Sequence, residues 1–110
     1  ESEYRTKIIK NNLRSGVSIN YDGNILVIGD VNAGAELVAT GNIIVIGVLR
    51  GFANAGVKGD RSAMVISNKI NATQLRIGQL IAIPPKDNDK KTTGVQIASI
   101  QNNKIEIQQY

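Results

Sequence analysis

The sequence predicts an all-β fold, a parallel β-solenoid of triangular section, and three observations predict it. GNILVIGDV at 23–31 is rewritten almost letter for letter as GNIIVIGVL at 41–49, 18 positions on. Strands run about 5 to 6 residues, so 18 residues make three short strands and three corners, which is one coil. Residues 18 apart carry the same kind of side chain, as stacked coils require: Gly23, Gly41 and Gly59 form one column, Val27 and Val45 another, Gly29 and Gly47 a third. Alternate positions are mostly apolar or small through three coils: Leu13, Ser15, Val17, Ile19, Tyr21, then Val31, Ala33, Ala35, Leu37, Ala39, then Leu49, Gly51, Ala53, Ala55, Val57. Strands expose alternate side chains on opposite faces, so one parity is expected to line the core.

The elements follow in order. Residues 1–12 read as a linker and a first strand entering the solenoid, and 13–83 as the β-helix core of about four 18-residue rungs. Glycines mark corners because they adopt backbone angles that other residues resist. Asn24, Asn42 and Asp60 follow the first glycine column, as expected of side chains that bond neighbouring backbone at turns. In the fourth rung the apolar parity shifts to Met64, Ile66, Ile70 and Ala72 before Leu75 and Ile77 restore it, which predicts a bulge or an inserted residue. Pro84, Pro85 and KDNDKK predict an exposed loop over 84–94. VQIASIQNNKIEIQQY, 95–110, alternates around Asn102 and Asn103, which predicts a β-hairpin or a pair of capping strands over the open end.

Composition narrows the function. One domain is expected for 110 residues, and no apolar run approaches bilayer length. The start, ESEYRTKIIKNN, is polar and lacks an initiator methionine, which predicts a piece of a longer protein. With no cysteine and no histidine the chain lacks thiolate chemistry, the commonest metal ligand and the best proton carrier near neutral pH. A hexapeptide-repeat acyltransferase, suggested by Ile-Gly at 28 and 46, would need a histidine base. The acidic residues of the regular rungs, Asp22, Asp30, Glu36 and Asp60, form no pair at the spacing of a glycosidase. No GxxxxGK[ST] is present, so the glycines serve corners rather than phosphates. The expectation is therefore no enzyme, no catalytic residue, no metal and no cofactor. The net charge of +4 is scattered, with only Lys90 and Lys91 adjacent, and aromatic residues for base stacking are few, so nucleic acid is not expected as a partner.

Two surfaces remain. ILVI at 25–28 and IIVI at 43–46 each hold four consecutive apolar residues, of which two must point outward. Either Ile25, Val27, Ile43 and Val45 or Leu26, Ile28, Ile44 and Ile46 form an exposed aliphatic patch, which predicts a twofold homodimer. A charged residue at Val45 should then disturb dimerisation, or folding if 45 faces inward. The second surface is polar: Arg14, Asn32 and Arg50 fall in one column at an outward corner, with Glu36 above Ser18 in the neighbouring strand. Arginine offers a carboxylate two parallel hydrogen bonds, and Glu36 can accept from a partner's cation.

RSGVSI, GDVNAGAELVATGNI at 29–43 and LRGFANAGVKGD at 49–60, with the closing strands, resemble the C-terminal domain of the bacterial cell-division inhibitor MinC over nearly the whole chain. The resemblance implies a right-handed triangular β-helix, a hand that periodicity alone does not give. It also implies dimerisation through one sheet face and binding to the ATP-bound form of the membrane-associated ATPase MinD. The family's Arg-Ser-Gly-Gln motif maps onto Arg14, Ser15, Gly16 and Val17, where valine departs and cannot supply the amide hydrogen bonds of glutamine; Glu36, in the GAEL stretch, is added to the same surface. The implied role is to keep septa from wrong sites by antagonising FtsZ, mainly through an N-terminal region outside this chain. The implied location is the cytoplasm, at the inner face of the membrane only through MinD. A bactofilin-like self-polymerising scaffold is the alternative.

Overall fold

Hydrogen bonds between residues one coil apart hold the molecule together. In this computed structural model, residues 5–85 and 94–110 are described, and they contain strands, turns and bridges but no helix. The strands are β1 (Thr6–Ile9), β2 (Ser18–Tyr21), β3 (Asn24–Ile28), β4 (Glu36–Ala39), β5 (Ile43–Leu49), β6 (Phe52–Ala55), β7 (Val65–Ile70), β8 (Gln74–Ile77), β9 (Leu80–Ala82), β10 (Gln96–Gln101) and β11 (Lys104–Gln109). Sheet A runs β1-β3-β5-β7-β10-β11 and sheet B runs β2-β4-β6-β8-β9. The third side of the triangle is narrow, made by the bridges Leu13–Val31 and Val31–Leu49.

The expected 18-residue register is seen where the repeat is purest. Ile25 lies opposite Ile43, Val27 opposite Val45 and Ser18 opposite Glu36. Four coils stack in this way, and the odd parity enters the core: Ile25, Val27, Ile43 and Val45 are buried with Val31, Leu37 and Leu49. This assigns the outer face of sheet A to Leu26, Ile28, Ile44 and Ile46. It also decides the expectation for Val45, which is 1% exposed. A charge there would be buried without a partner, so its effect falls on folding.

Asparagine and aspartate side chains extend the backbone ladder at two corners. Asn24 Oδ1 accepts from the Asn42 N–H and Asn42 Oδ1 from the Met64 N–H, both at 2.8 Å. At another corner Asn12 Oδ1 accepts from the Asp30 N–H and Asp30 Oδ1 from the Val48 N–H, again at 2.8 Å. Corner amides that the strands leave unpaired are thus satisfied by the coil below. Asn42→Ala is expected to lower unfolding free energy by about 1–2 kcal/mol in urea titration, because the Met64 N–H loses its acceptor. Gly47 is needed for a different reason. Its φ is +151°, and an added Cβ would lie 2.3 Å from the Gly29 carbonyl oxygen of the coil below. Gly47→Ala is expected to cost about 3 kcal/mol by the same titration, since backbone and coil spacing would both have to shift.

The structure departs from the expected register in the third and fourth coils. Ile43 faces Val65, not residue 61, so four additional residues enter before β7. Gly59 and Asp60 consequently leave the Gly23–Gly41 and Asn24–Asn42 columns and sit in the projecting turn 56–62, where Asp60 Oδ1 accepts from the Ser62 N–H and hydroxyl. Met64 follows Asn42 in the ladder instead. The parity shift also lies later than expected. Ala63, Val65 and Ser67 face inward and Met64 and Ile66 outward; the change comes between Ser67 and Ile70. There β5 spends three steps, Val45 to Val48, against two on β7, which is the bulge. Ser67 is buried at this point, with its Oγ 2.9 Å from the Gly47 and Lys69 carbonyl oxygens and accepting from the Lys69 N–H. At the corners Ser15, Ala33 and Val57 are exposed despite their parity, because turn residues do not follow strand alternation.

The parallel pattern ends at β8. β9 and β10 both join antiparallel, to β8 and β7. The hairpin is where the alternation placed it: Asn102 and Asn103 have φ of 54° and 63°, the two positive values that a tight hairpin turn needs. Its inner side packs Ile100, Ile105 and Ile107 against the core and covers the C-terminal end. Of the loop expected over 84–94, Pro84 is buried rather than exposed, Pro85 and Gly94 are exposed, and 86–93 lie outside the described residues.

Candidate functional site

The polar column stands at the vertex between the narrow side and sheet B, opposite sheet A. Two identical turns build it. The Val17 N–H donates to the Arg14 carbonyl at 3.1 Å and the Ala35 N–H to the Asn32 carbonyl at 3.0 Å, with Gly16 and Gly34 at φ of +92° and +90° in the third position. Each is a type II turn, and that position calls for glycine. The turns stack, with the Gly16 N–H donating to the Gly34 carbonyl at 3.0 Å. Arg14, Ser15 and Gly16 are exposed on the first turn.

In the third coil this corner is cut short. Four residues, 32–35, separate Val31 from β4, whereas only Arg50 and Gly51 separate Leu49 from β6. The vertex therefore has a step: two projecting turns, then a recessed coil carrying Arg50. The Arg50 guanidinium lies 3.3 Å from Asn32 Oδ1 and 3.7 Å from the Asp30 carboxylate. Arg50 is thus held toward the ledge by groups from the coil below. Glu36 is exposed at the start of β4, beside Ser18 and opposite Phe52 of the recessed coil. The result is an exposed edge with cations at Arg14 and Arg50 and a carboxylate at Glu36, suited to charge-assisted hydrogen bonds with another protein.

Four of the five residues expected at the corner, Arg14, Ser15, Gly16 and Glu36, are exposed there. Val17 is half-buried and packs against the core, so its backbone belongs to the corner and its side chain does not. A valine in this place fills the first coil, which has no coil beneath it. Asp30 was missed, although Asp30 and Val48 occupy one column and its ladder role could have been read by analogy with Asn24. The step was missed too. Its signal is that the small-Gly pattern of Ser15-Gly16 and Ala33-Gly34 has no counterpart after Arg50. Among the described residues no group of acidic side chains could hold a metal. Among the same residues no helix is long and apolar enough to cross a membrane.

The family model described as Septum formation inhibitor MinC, C-terminal domain, matches residues 7–110. The chain belongs to this family. Among similar MinC sequences, the one named Probable septum site-determining protein MinC in Heliobacterium modesticaldum is 43% identical over 106 residues, covering 96% of this chain and 37% of that protein. Its namesake in Acetivibrio thermocellus is 42% identical over 108 residues, covering 96% of this chain and 47% of the relative. This chain thus spans half or less of the length of these MinC relatives. A solved structure titled MinC:MinD cell division protein complex, from Aquifex aeolicus, superposes with a TM-score of 0.89 at 40% identity, covering 96% of this chain and 87% of that one. The MinC resemblance drawn from the residues therefore holds over nearly the whole chain, and the scaffold alternative is not favoured.

Proposed function

We propose that this MinC C-terminal domain is a dimeriser and MinD adaptor, which recruits a division inhibitor to the membrane when MinD carries ATP and so blocks septa at wrong sites. The observation that carries the reading is the likeness to a chain solved in a MinC:MinD complex. The Arg14–Val17 and Asn32–Ala35 turns, with Arg50 and Glu36, are the MinD-binding corner. The outer face of sheet A, Leu26, Ile28, Ile44 and Ile46, is the dimer interface. Ile28 and Ile46 are 42% and 52% exposed, and stacked aliphatic side chains of this kind are stabilised by a second copy. Sheet A and the polar corner lie on opposite sides of the triangle. A dimer packed through sheet A thus presents two corners pointing away from each other, and a MinD dimer can bridge successive copies with avidity on the membrane.

The domain works by binding, without catalysis or a cofactor, in the cytoplasm and at the membrane's inner face only through MinD. Antagonism of FtsZ falls mainly to the remainder of the longer protein. The test is co-sedimentation of the 110-residue chain with MinD and lipid vesicles. Recovery with ATP and not with ADP is expected; equal recovery with either nucleotide overturns the adaptor reading. In the same assay Gly16→Asp is expected to lose recovery. No atom lies within 4 Å of a Cβ at this position, so the added side chain projects from the corner, and its φ of +92° makes the turn strained for any side chain.

A further inference from the structure

We infer that Lys7 closes the N-terminal end of the solenoid: its side chain lies across the opening of the first coil and keeps a second copy from pairing its own first strand there. The two ends of the molecule differ. At the C-terminal end the last strands, β9, β10 and β11, are antiparallel, and the hairpin packs over the core. At the N-terminal end both sheets stop on a parallel strand with one neighbour, β1 beside β3 and β2 beside β4. An unpaired strand edge is a template for another chain, and the matching edge of a second copy can meet it about a twofold axis.

At this end the sequence places a cation where the other coils place aliphatic carbon. Lys7 is the register partner of Ile25, and the column continues through Ile43 to Val65, all three fully buried. Register partners point to the same face, so Lys7 belongs to the inward parity. With no coil beneath it, the side chain is exposed and turns across the opening, where Nζ lies 5.9 Å from the centre of the Tyr21 ring on the other sheet. That is within the range of cation–π attraction. Tyr21 is itself an inward residue, opposite the buried Ala39. Its ring reaches toward the corner, where a Cβ added to Gly23 would lie 2.8 Å from Tyr21 Cε2. One side chain from each sheet thus spans the end, and Ile9 and Ile19, half-buried, pack against the core.

This arrangement suits the end of a solenoid and penalises a stacked one. The Lys7 stem covers apolar surface while its ammonium stays in water. Among the described residues no carboxylate pairs with it. A strand laid along β1 would strip that water from an unpaired charge, and a twofold contact would bring a second Lys7 into the same opening. Natural sheets use inward-pointing charges on edge strands to prevent association of this kind. The end is distinct from both the polar corner and the outer face of sheet A, so the inference rests on neither reading.

Sedimentation of the 110-residue chain over a concentration series tests this, with Lys7→Ile and Lys7→Arg compared with wild type. Lys7→Ile, which gives the column its usual side chain, is expected to form species of at least roughly twice the wild-type mass. Lys7→Arg keeps the charge and is expected to keep the wild-type mass. Adding Thr6→Pro to Lys7→Ile is expected to restore that mass. The Asn24 N–H bonds to the Arg5 carbonyl, which turns the Thr6 N–H to the free edge, and proline removes it as a donor. Wild-type mass for Lys7→Ile at every concentration overturns the inference, as does association that Lys7→Arg shares or that persists with Thr6→Pro. A Lys7→Ile chain that loses its β-sheet circular dichroism also overturns it, since Lys7 would then hold the fold together rather than close its end.

Discussion

Arg14→Ala is expected to abolish recovery of this MinC domain with ATP-loaded MinD, a loss of about 2–4 kcal/mol or roughly 30- to 1000-fold in affinity, as for an arginine at an interface centre. The side chain is exposed on the outermost turn of the corner, and its register mates Asn32 and Arg50 are already engaged with each other. Among the described residues, Arg14 is therefore the cation of this corner whose side chain has no hydrogen-bond or ion-pair partner to compete for it. Folding should not change, because Leu13 beside it makes the core contact and the turn is held by backbone bonds. Far-UV circular dichroism and dimer mass are the controls. Binding within threefold of wild type would sink the assignment of Arg14, and with it the centre of the corner. Arg14→Lys is expected to recover part of the loss, since it restores charge without the planar fork.

The second large effect concerns the opposite side of the molecule. Ile46→Asp is expected to convert the dimer to a monomer, raising its dissociation constant at least 100-fold in analytical ultracentrifugation. Ile46 is 52% exposed on the outer face of β5, so in the monomer an aspartate there remains solvated. In the dimer it would lose that water against apolar side chains, at a cost of several kcal/mol. Val45→Asp, one residue away, is expected to prevent folding in the same experiment. The contrast between adjacent residues separates an interface from a core. If Ile46→Asp sediments like the wild type, the dimer uses another face.

The two effects are coupled through avidity. A monomer keeps its corner, so Ile46→Asp should still bind MinD in solution yet fall off vesicles as ionic strength rises, where paired contacts persist.

The amino-acid sequence by itself determined the coil. A repeat of 18 with glycines at fixed places leaves few other ways to bury Ile25, Val27, Ile43 and Val45, and it set which residues stack: Arg14 under Asn32 and Arg50, Ser18 under Glu36. The two asparagines of the terminal hairpin were equally legible, because two positive φ values in succession suit few other residues. The periodicity did not carry through the inserted residues at 56–62, which is why Gly59 and Asp60 were placed in columns they do not occupy. A period counts residues, whereas stacking follows hydrogen bonds, and a turn that projects into solvent adds to the count without adding a level. The same reason hid the shortened corner at Arg50 and Gly51 and the bulge opposite Ser67. Parity was undecided in the sequence because ILVI and IIVI are apolar on both faces. Only the tertiary structure, by closing two sheets and a narrow third side around one interior, chose the odd residues for the core and left Leu26, Ile28, Ile44 and Ile46 outside.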